Sequence, residues 1–394
     1  PPLTLLAVTI PFLARITTQT TQSVGLQVGR LSAISTVGSV IGTLLISYLL
    51  IPLAPNTYTM IMVVALEIVL VAVYFLIFEK GFKQTPGVLP GILAGMVICG
   101  IAGRVEAVKS PSIGKELFRK NSNFGLMQVV DSPSGNVRYY LNDYLTQNIF
   151  DPKEDKSLTV FTYMLRGLTH AYHPSPEKVL CIGLGVGIVP MQLAKEGSTI
   201  DVVEINPGVV EIGEKFFGLD KSTFNLHLED GRYFLNASKE EYDVVILDAF
   251  LGDSSPSHLM SRECFESMSQ RMENDAVLVI NAFGHFSEGE DFFMASLDKT
   301  LRAVFKSVHI HDGTRGNVFF VASKKEGLEP HRSMDMSEVH PKLIPFVETA
   351  WKNTINANPE SGIILTDNYN PVEYYDSKIR EEIRLNFALN MRGK

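Results

Sequence analysis

The stretch VLCIGLGVGIVPMQLAKEGSTIDVVEINPGVV (residues 179–210) reads as strand, glycine-rich turn, helix, strand. Gly183, Gly185 and Gly187 fall where the first strand hands over to its helix. Glycines there let the backbone pass close to a ligand at the carboxyl end of a parallel sheet. Seventeen residues after Gly187, Glu204 ends the second strand. A carboxylate at that point suits the two hydroxyls of a ribose. Asp230-Gly231 follows the third strand and Asp248 ends the fourth. Together the four features fit a nucleoside-sulfonium cofactor. NAD fits less well, because Ile188, Val189 and Pro190 follow the last glycine instead of the dinucleotide spacing. Each acidic residue could also be a helix cap or a solvated turn residue.

The same alternation continues downstream. KVLCIGL, TIDVVEI, FNLHLED, DVVILDA and AVLVINAF are apolar strands. Helices are expected between them at 188–196, 208–217, 231–238 and 261–272. SVHIHDG and GNVFFVAS read as a closing hairpin. Strands buried on both faces and alternating with helices make a doubly wound, Rossmann-like α/β sheet of the methyltransferase type. Upstream, GLMQVVDS, NVRYYLND and YLTQNIF are short, β-rich segments divided by turns, the mark of a small antiparallel unit.

The first hundred residues have a different texture. LSAISTVGSVIGTLLISYLLIPL (31–53) carries no charge, and TYTMIMVVALEIVLVAVYFLIF (57–78) carries only Glu67. Both reach the ~20 apolar residues that cross a ~30 Å hydrocarbon layer. VLPGILAGMVICGIAG (88–103) is shorter and glycine-rich. PPLTLLAVTIPFLA (1–14) reads as the end of a helix whose beginning precedes residue 1. A transmembrane region is therefore expected over 1–104, with a lipid bilayer as partner. Gly38 and Gly42 form a GxxxG pair that permits close helix approach, with a homo-oligomer or another membrane subunit as possible partner. Glu67 marks either a functional site or a helix pairing. The basic cluster Arg104, Lys109, Lys115, Arg119 and Lys120 favours a cytoplasmic location for the soluble part. Three crossings would then leave Lys80 and Lys83 outside, so Arg15 and Arg30 lie inside only if one short run does not cross.

The expected order is thus transmembrane helices (1–104), a β-rich domain with a linker helix (122–178), a nucleoside-binding α/β domain (179–324) and a C-terminal extension (325–394). The formal charge of −8 argues against a nucleic-acid partner. Cys99, Cys181 and Cys264 form no metal or disulfide pattern. His309 and His311 share a strand face without a third ligand, so no metal is expected. His258, close to the Asp248 loop, is either a base or a loop hydrogen-bonder. The tail, with Trp351 in a helix followed by LTDNYNPVEYY, either caps the site or docks on the domain surface.

The segments HPSPEKVLCIGLGVGIV, VVEINPGVVEIGEKFF, LHLEDGRYFL and YDVVILDAFLGDSSPSHLMSRECFESM resemble spermidine synthase. With the apolar helices and the tail LTDNYNPVEYYD, the whole chain resembles the membrane-fused spermidine synthase-like proteins. That resemblance implies a membrane-anchored aminopropyltransferase acting on decarboxylated S-adenosylmethionine and a diamine such as putrescine. It implies that Glu204 holds the ribose and that Asp230 with Gly231 reads the adenine. Asp248 and Asp253 then serve the reaction centre. The chemistry suits a carboxylate, because a protonated amine has no free lone pair and must lose a proton before it attacks.

The sequence departs from the family at three places. Val186 occupies the glycine-loop position where the family has an acid for the donor's ammonium. Phe161-Thr162-Tyr163 replaces its Tyr-Gln-Glu. DAFLGDSSP stretches its Asp-Ser-Ser-Asp-Pro loop. Two alternatives follow: an S-adenosylmethionine-dependent methyltransferase, or a non-catalytic accessory membrane subunit that keeps the fold.

Overall fold

Five strands of the 179–324 region assemble in parallel around the strand Lys178–Ile182 in the structure, a computed structural model. It describes residues 24–54, 56–77, 88–108, 114–250, 255–286, 291–313, 316–358 and 360–375, with a few isolated positions besides. Asp253, Lys80, Lys83 and Lys109 lie outside the described residues. The chain divides into two units, Pro1–Lys109 and Ser110–Lys394.

In the first unit, α1 (Val24–Leu45) runs on through a π-helical turn (Ile46–Leu50) to Leu53. It is followed by α2 (Asn56–Ile77) and α3 (Val88–Val108). Val24–Leu53 and Thr57–Tyr74 are long and apolar enough to cross a membrane. Their side chains are mostly exposed, Glu67 among them. Gly38 and Gly42 face open space.

The second unit opens with a five-stranded antiparallel sheet: β1 (Lys115–Ser122), β2 (Gly125–Asp131), β3 (Arg138–Asn142), β4 (Leu145–Asp151) and β5 (Lys156–Ser157). It starts before the expected residue 122, because the charged residues of KELFRKNS hide the strand pattern of β1. Helix α4 (Val160–Tyr172) leads into the large sheet.

There β6 (Lys178–Ile182), α5 (Ile188–Lys195), β7 (Thr199–Val203), α6 (Pro207–Phe216), β8 (Asn225–His227), α7 (Gly231–Ala237) and β9 (Tyr242–Leu247) follow the expected alternation. They are succeeded by α8 (Arg262–Gln270), β10 (Met272–Phe283), α9 (Phe292–Arg302), β11 (Ser307–Asp312) and β12 (Asn317–Ser323). The tail adds α10 (Ile344–Lys352), which contains Trp351, and β13 (Thr354–Ile355). Helix α9 is an addition to the expected set. The strand order is β13-β11-β12-β10-β9-β6-β7-β8. Pairings from β8 to β10 are parallel, and β12 pairs antiparallel with β10 and β11.

Alternate residues of β6 feed opposite faces. Val179 and Cys181 join the core beneath α4, α5, α6 and α10, whereas Leu180 and Ile182 join the core beneath α7, α8 and α9. Because the sheet is covered on both faces, its central strands read as continuous apolar runs. Met127, Val129, Tyr140 and Phe150 of the small sheet pack into the first of these cores. The order of strands reverses at β6: β7 lies on one side and β9 on the other. In open α/β sheets ligands bind in the crevice at such a point, outside the carboxyl ends of the strands.

Candidate active site

A cavity of about 310 Å³ opens at that crevice. Its floor is the glycine loop after β6. Gly183 has φ +97°, and a Cβ there would stand 2.2 Å from the carbonyl oxygen of Asp248. Only glycine lets the two strand ends approach so closely. Gly185, at φ +55°, has open space where a Cβ would be and also lines the cavity. Gly187 plays a different part. It caps α5 in the left-handed conformation, packs against Leu219 and is not among the lining residues.

Glu204, Asp230, Gly231 and Asp248 all line the cavity, as do His258 and Gln147. The Leu184 N–H donates to Glu204 Oε2 (3.0 Å), and the Asn206 N–H donates to Oε1 (2.8 Å). These bonds fix the carboxylate between the loop and α6, and each oxygen keeps a lone pair for a ligand. Burial pushes the Glu204 carboxyl above its ordinary value, opposed by those backbone donors.

Asp230 makes two contacts, one of them the helix cap that its place before α7 allowed. Its Oδ1 caps α7 by accepting from the Tyr233 N–H (2.9 Å), and its Oδ2 pairs with His258 Nε2 (2.9 Å). Burial alone would raise this carboxyl, but the backbone donor and the imidazole outweigh it and hold it below the usual range. His258 is therefore a partner of Asp230 at the nucleoside end.

Asp248 stands at the opposite end of the crevice, one residue past β9. Asn281 on β10 donates from Nδ2 to Asp248 Oδ1 (2.8 Å), and Asn317 on β12 donates to Asn281 Oδ1 (2.9 Å). The two asparagines line the same cavity, and their chain of donors aims an N–H at the carboxylate. Burial raises the Asp248 carboxyl to about 6, with the Asn281 donor pulling the other way. Phe250 and Phe283 form an aromatic pair beside it, ring centroids 4.6 Å apart. Sequence reasoning passed over Asn281 and Asn317. The only signal for Asn281 is a lone amide near the end of the apolar run AVLVINAF.

Phe161, Thr162 and Tyr163 lie inside α4. Phe161 lines the cavity, while the Tyr163 hydroxyl donates to the Ser157 carbonyl (2.8 Å). His311 bonds to Tyr172 and to the Trp351 carbonyl, and His309 to the Leu328 carbonyl, so both serve packing. The tail docks outside the cavity. Asp367 pairs with Arg232 and accepts from the Ser261 hydroxyl (2.7 Å), and Asn370 donates to the Ser257 carbonyl (2.7 Å). It thereby straps the loop that carries Pro256, His258 and Leu259, all of which line the cavity.

Residues 159–311 match the spermine/spermidine synthase domain family. The chain carries a spermine/spermidine synthase domain. A polyamine aminopropyltransferase of Vibrio vulnificus is 37% identical over 140 residues, 34% of this chain and 46% of that protein. This chain thus spans about half the length of that relative. One of Streptococcus pneumoniae is 26% identical over 224 residues, 54% of this chain and 76% of that protein. A solved spermidine synthase of Thermotoga maritima superimposes with a TM-score of 0.46 at 20% identity, over 71% of this chain and 88% of that one.

Proposed function

We propose that this chain is a membrane-anchored aminopropyltransferase that uses decarboxylated S-adenosylmethionine as donor and a small amine, such as putrescine, as acceptor. The observation that carries it is the placement of Glu204 and Asp248. They follow β7 and β9, the two strands that flank β6, and both line one cavity across the glycine loop. Glu204 suits the ribose hydroxyls, and Asp230 with the Gly231 backbone suits the adenine edge. Asp248 suits an amine at the reacting carbon.

In the proposed step the acceptor's nitrogen gives its proton to Asp248. Its lone pair then attacks the propyl carbon bound to the sulfonium. The carbon–sulfur bond breaks, its electron pair neutralises the sulfur, and methylthioadenosine leaves. A carboxyl raised to about 6 by burial is still ionised at neutral pH and accepts a proton more readily than an ordinary aspartate. Holding donor and acceptor in line supplies much of the remaining rate.

Methyl transfer is the second reading, favoured by the apolar Val186 in the glycine loop. The test is to incubate the full chain in detergent with each donor and putrescine and to identify the nucleoside released. Methylthioadenosine is the expected product. S-adenosylhomocysteine from S-adenosylmethionine, with no methylthioadenosine from the decarboxylated donor, would replace aminopropyl transfer with methyl transfer.

A further inference from the structure

His258 lines the main cavity but takes no part in the proposed reaction. It sits in the middle of a 3₁₀ turn, Ser257–Leu259, and each residue of that turn is fixed from a different side. The Ser257 carbonyl accepts from Asn370 of the tail (2.7 Å). The His258 carbonyl accepts from Arg232 on α7 (3.2 Å). The Leu259 side chain is buried in the core beneath α7, α8 and α9. With its backbone held from behind, the imidazole reaches forward to Asp230, Nε2 to Oδ2, at 2.9 Å.

That contact decides how Asp230 stands. A carboxylate held at one oxygen turns readily about its last side-chain bond, because that torsion is broad. Asp230 is held at both: Oδ1 by the Tyr233 N–H (2.9 Å) and Oδ2 by His258. Each oxygen keeps a second lone pair. Gly231 follows at the first position of α7, where a backbone N–H has no partner within the helix. An acceptor and a donor thus stand side by side in the cavity wall. Their complement is a base edge with an amino donor beside a ring-nitrogen acceptor, the edge of a 6-aminopurine. A 6-oxopurine presents the reverse order, an oxygen against the carboxylate and an N–H against the N–H. The side chains of His258 and Asp230 are 41% and 33% exposed, so their pairing adds little to stability. Orientation is the effect left to it.

We infer that His258 is a positioning residue for base selectivity: it fixes the Asp230 carboxylate in the plane that, together with the Gly231 N–H, admits a 6-amino purine and rejects a 6-oxo purine. This rests on the nucleoside reading of the main cavity. His258 acts through Asp230 and does not itself touch the reacting atoms, which lie at the Asp248 end of the crevice.

The experiment is calorimetric titration of the full chain in detergent with methylthioadenosine and with methylthioinosine, its 6-oxo counterpart. The unmodified protein should prefer methylthioadenosine by about a hundredfold or more, two reversed hydrogen bonds at roughly tenfold each. His258→Ala should weaken methylthioadenosine about tenfold and leave methylthioinosine unchanged, with the melting temperature also unchanged. His258→Gln, whose amide N–H reaches towards the same oxygen, should bring the preference back to within about threefold of the native value. His258→Ser carries the test if the alanine variant does not fold. Equal weakening of both nucleosides would make His258 a mere wall of the pocket and overturn the inference. A preference kept in full without the imidazole would do the same, as would an unmodified protein that binds both nucleosides alike. Failure of methylthioadenosine to bind the unmodified protein would instead remove the nucleoside reading itself, and the inference with it.

Discussion

Asp248 illustrates how one side chain can cost stability and serve chemistry. Its folded-state pKa, about 6, stands above the ordinary 3.8, so the folded protein holds this proton more tightly than the unfolded chain. The stability that comes from this group is full below pH ~4 and is lost as pH rises to ~6. At neutral pH the ionised, buried carboxylate is then a net burden, on the order of 3 kcal/mol at about 1.4 kcal/mol per pKa unit. Asp248→Asn keeps the shape and the Asn281 contact and removes the charge. The expected result is a variant more stable than the native protein at pH 8, with donor affinity nearly intact and turnover lower by ~10²–10⁴-fold. Under the proposed reaction the unmodified protein should lose activity below about pH 6 as Asp248 is protonated. Chemical denaturation and turnover measured on the same preparation check this; a destabilised variant with near-native turnover would reduce Asp248 to a structural residue. Glu204→Gln addresses the other end. It removes a charged acceptor for two hydroxyls, and methylthioadenosine affinity should fall about tenfold or more. Unchanged affinity by calorimetry would take the ribose away from Glu204.

At the scale of elements, the strap formed by the tail is the least expected feature of the site. Arg232 follows Asp230-Gly231 on α7 and donates both to Asp367 and to the His258 carbonyl (3.2 Å). His258 in turn pairs with Asp230. A half-exposed ion pair such as Arg232–Asp367 adds little stability, under about 1 kcal/mol. Its effect should therefore appear in the loop it restrains. Asp367→Asn should raise the Kd of methylthioadenosine several-fold, with kcat and melting temperature nearly unchanged. A fall in melting temperature without any change in affinity would make the tail a docking segment alone. Parallel strands covered on both faces leave unmistakable apolar runs, and glycines at a strand end mark the crevice, so the sheet and its acidic edge were legible from sequence. The strap and the Asn317–Asn281–Asp248 chain were not. Each joins residues far apart in the chain, and an asparagine in a short strand carries no sign of the cavity it will face. Helix α9 escaped because the start of FFMASLDKTLR carries no clear capping signal. Its Asp291 makes no side-chain cap.

For the whole molecule, the question is what the helices of the first unit meet. The run from Val24 to Leu53 is 30 residues, about 45 Å at 1.5 Å per residue, which exceeds the ~30 Å of a hydrocarbon core and allows for tilt. The apolar core of a secretory signal is only about 7–15 residues. Leu26, Ile34 and Leu44 on α1, Tyr48 on the π-helical turn after it, and Met60, Leu66 and Leu70 on α2 are each about half exposed or more. An apolar surface of this extent far exceeds the few hundred Å² that a water-soluble monomer tolerates. Two outcomes can satisfy it: lipid, or a second copy packed along the Gly38–Gly42 face in water. Lipid is the stronger expectation, because α1 gathers its few polar residues on no single face that could turn to water. In phase separation with a non-ionic detergent, the full chain should enter the detergent phase, and a fragment of residues 110–394, which holds both sheets and the cavity, should stay in the aqueous phase. The fragment should bind methylthioadenosine as tightly as the full chain, since every lining residue lies within it. A full chain that is monodisperse in plain buffer as a small oligomer would replace the membrane anchor with a helical assembly domain and leave the chemistry of the crevice untouched.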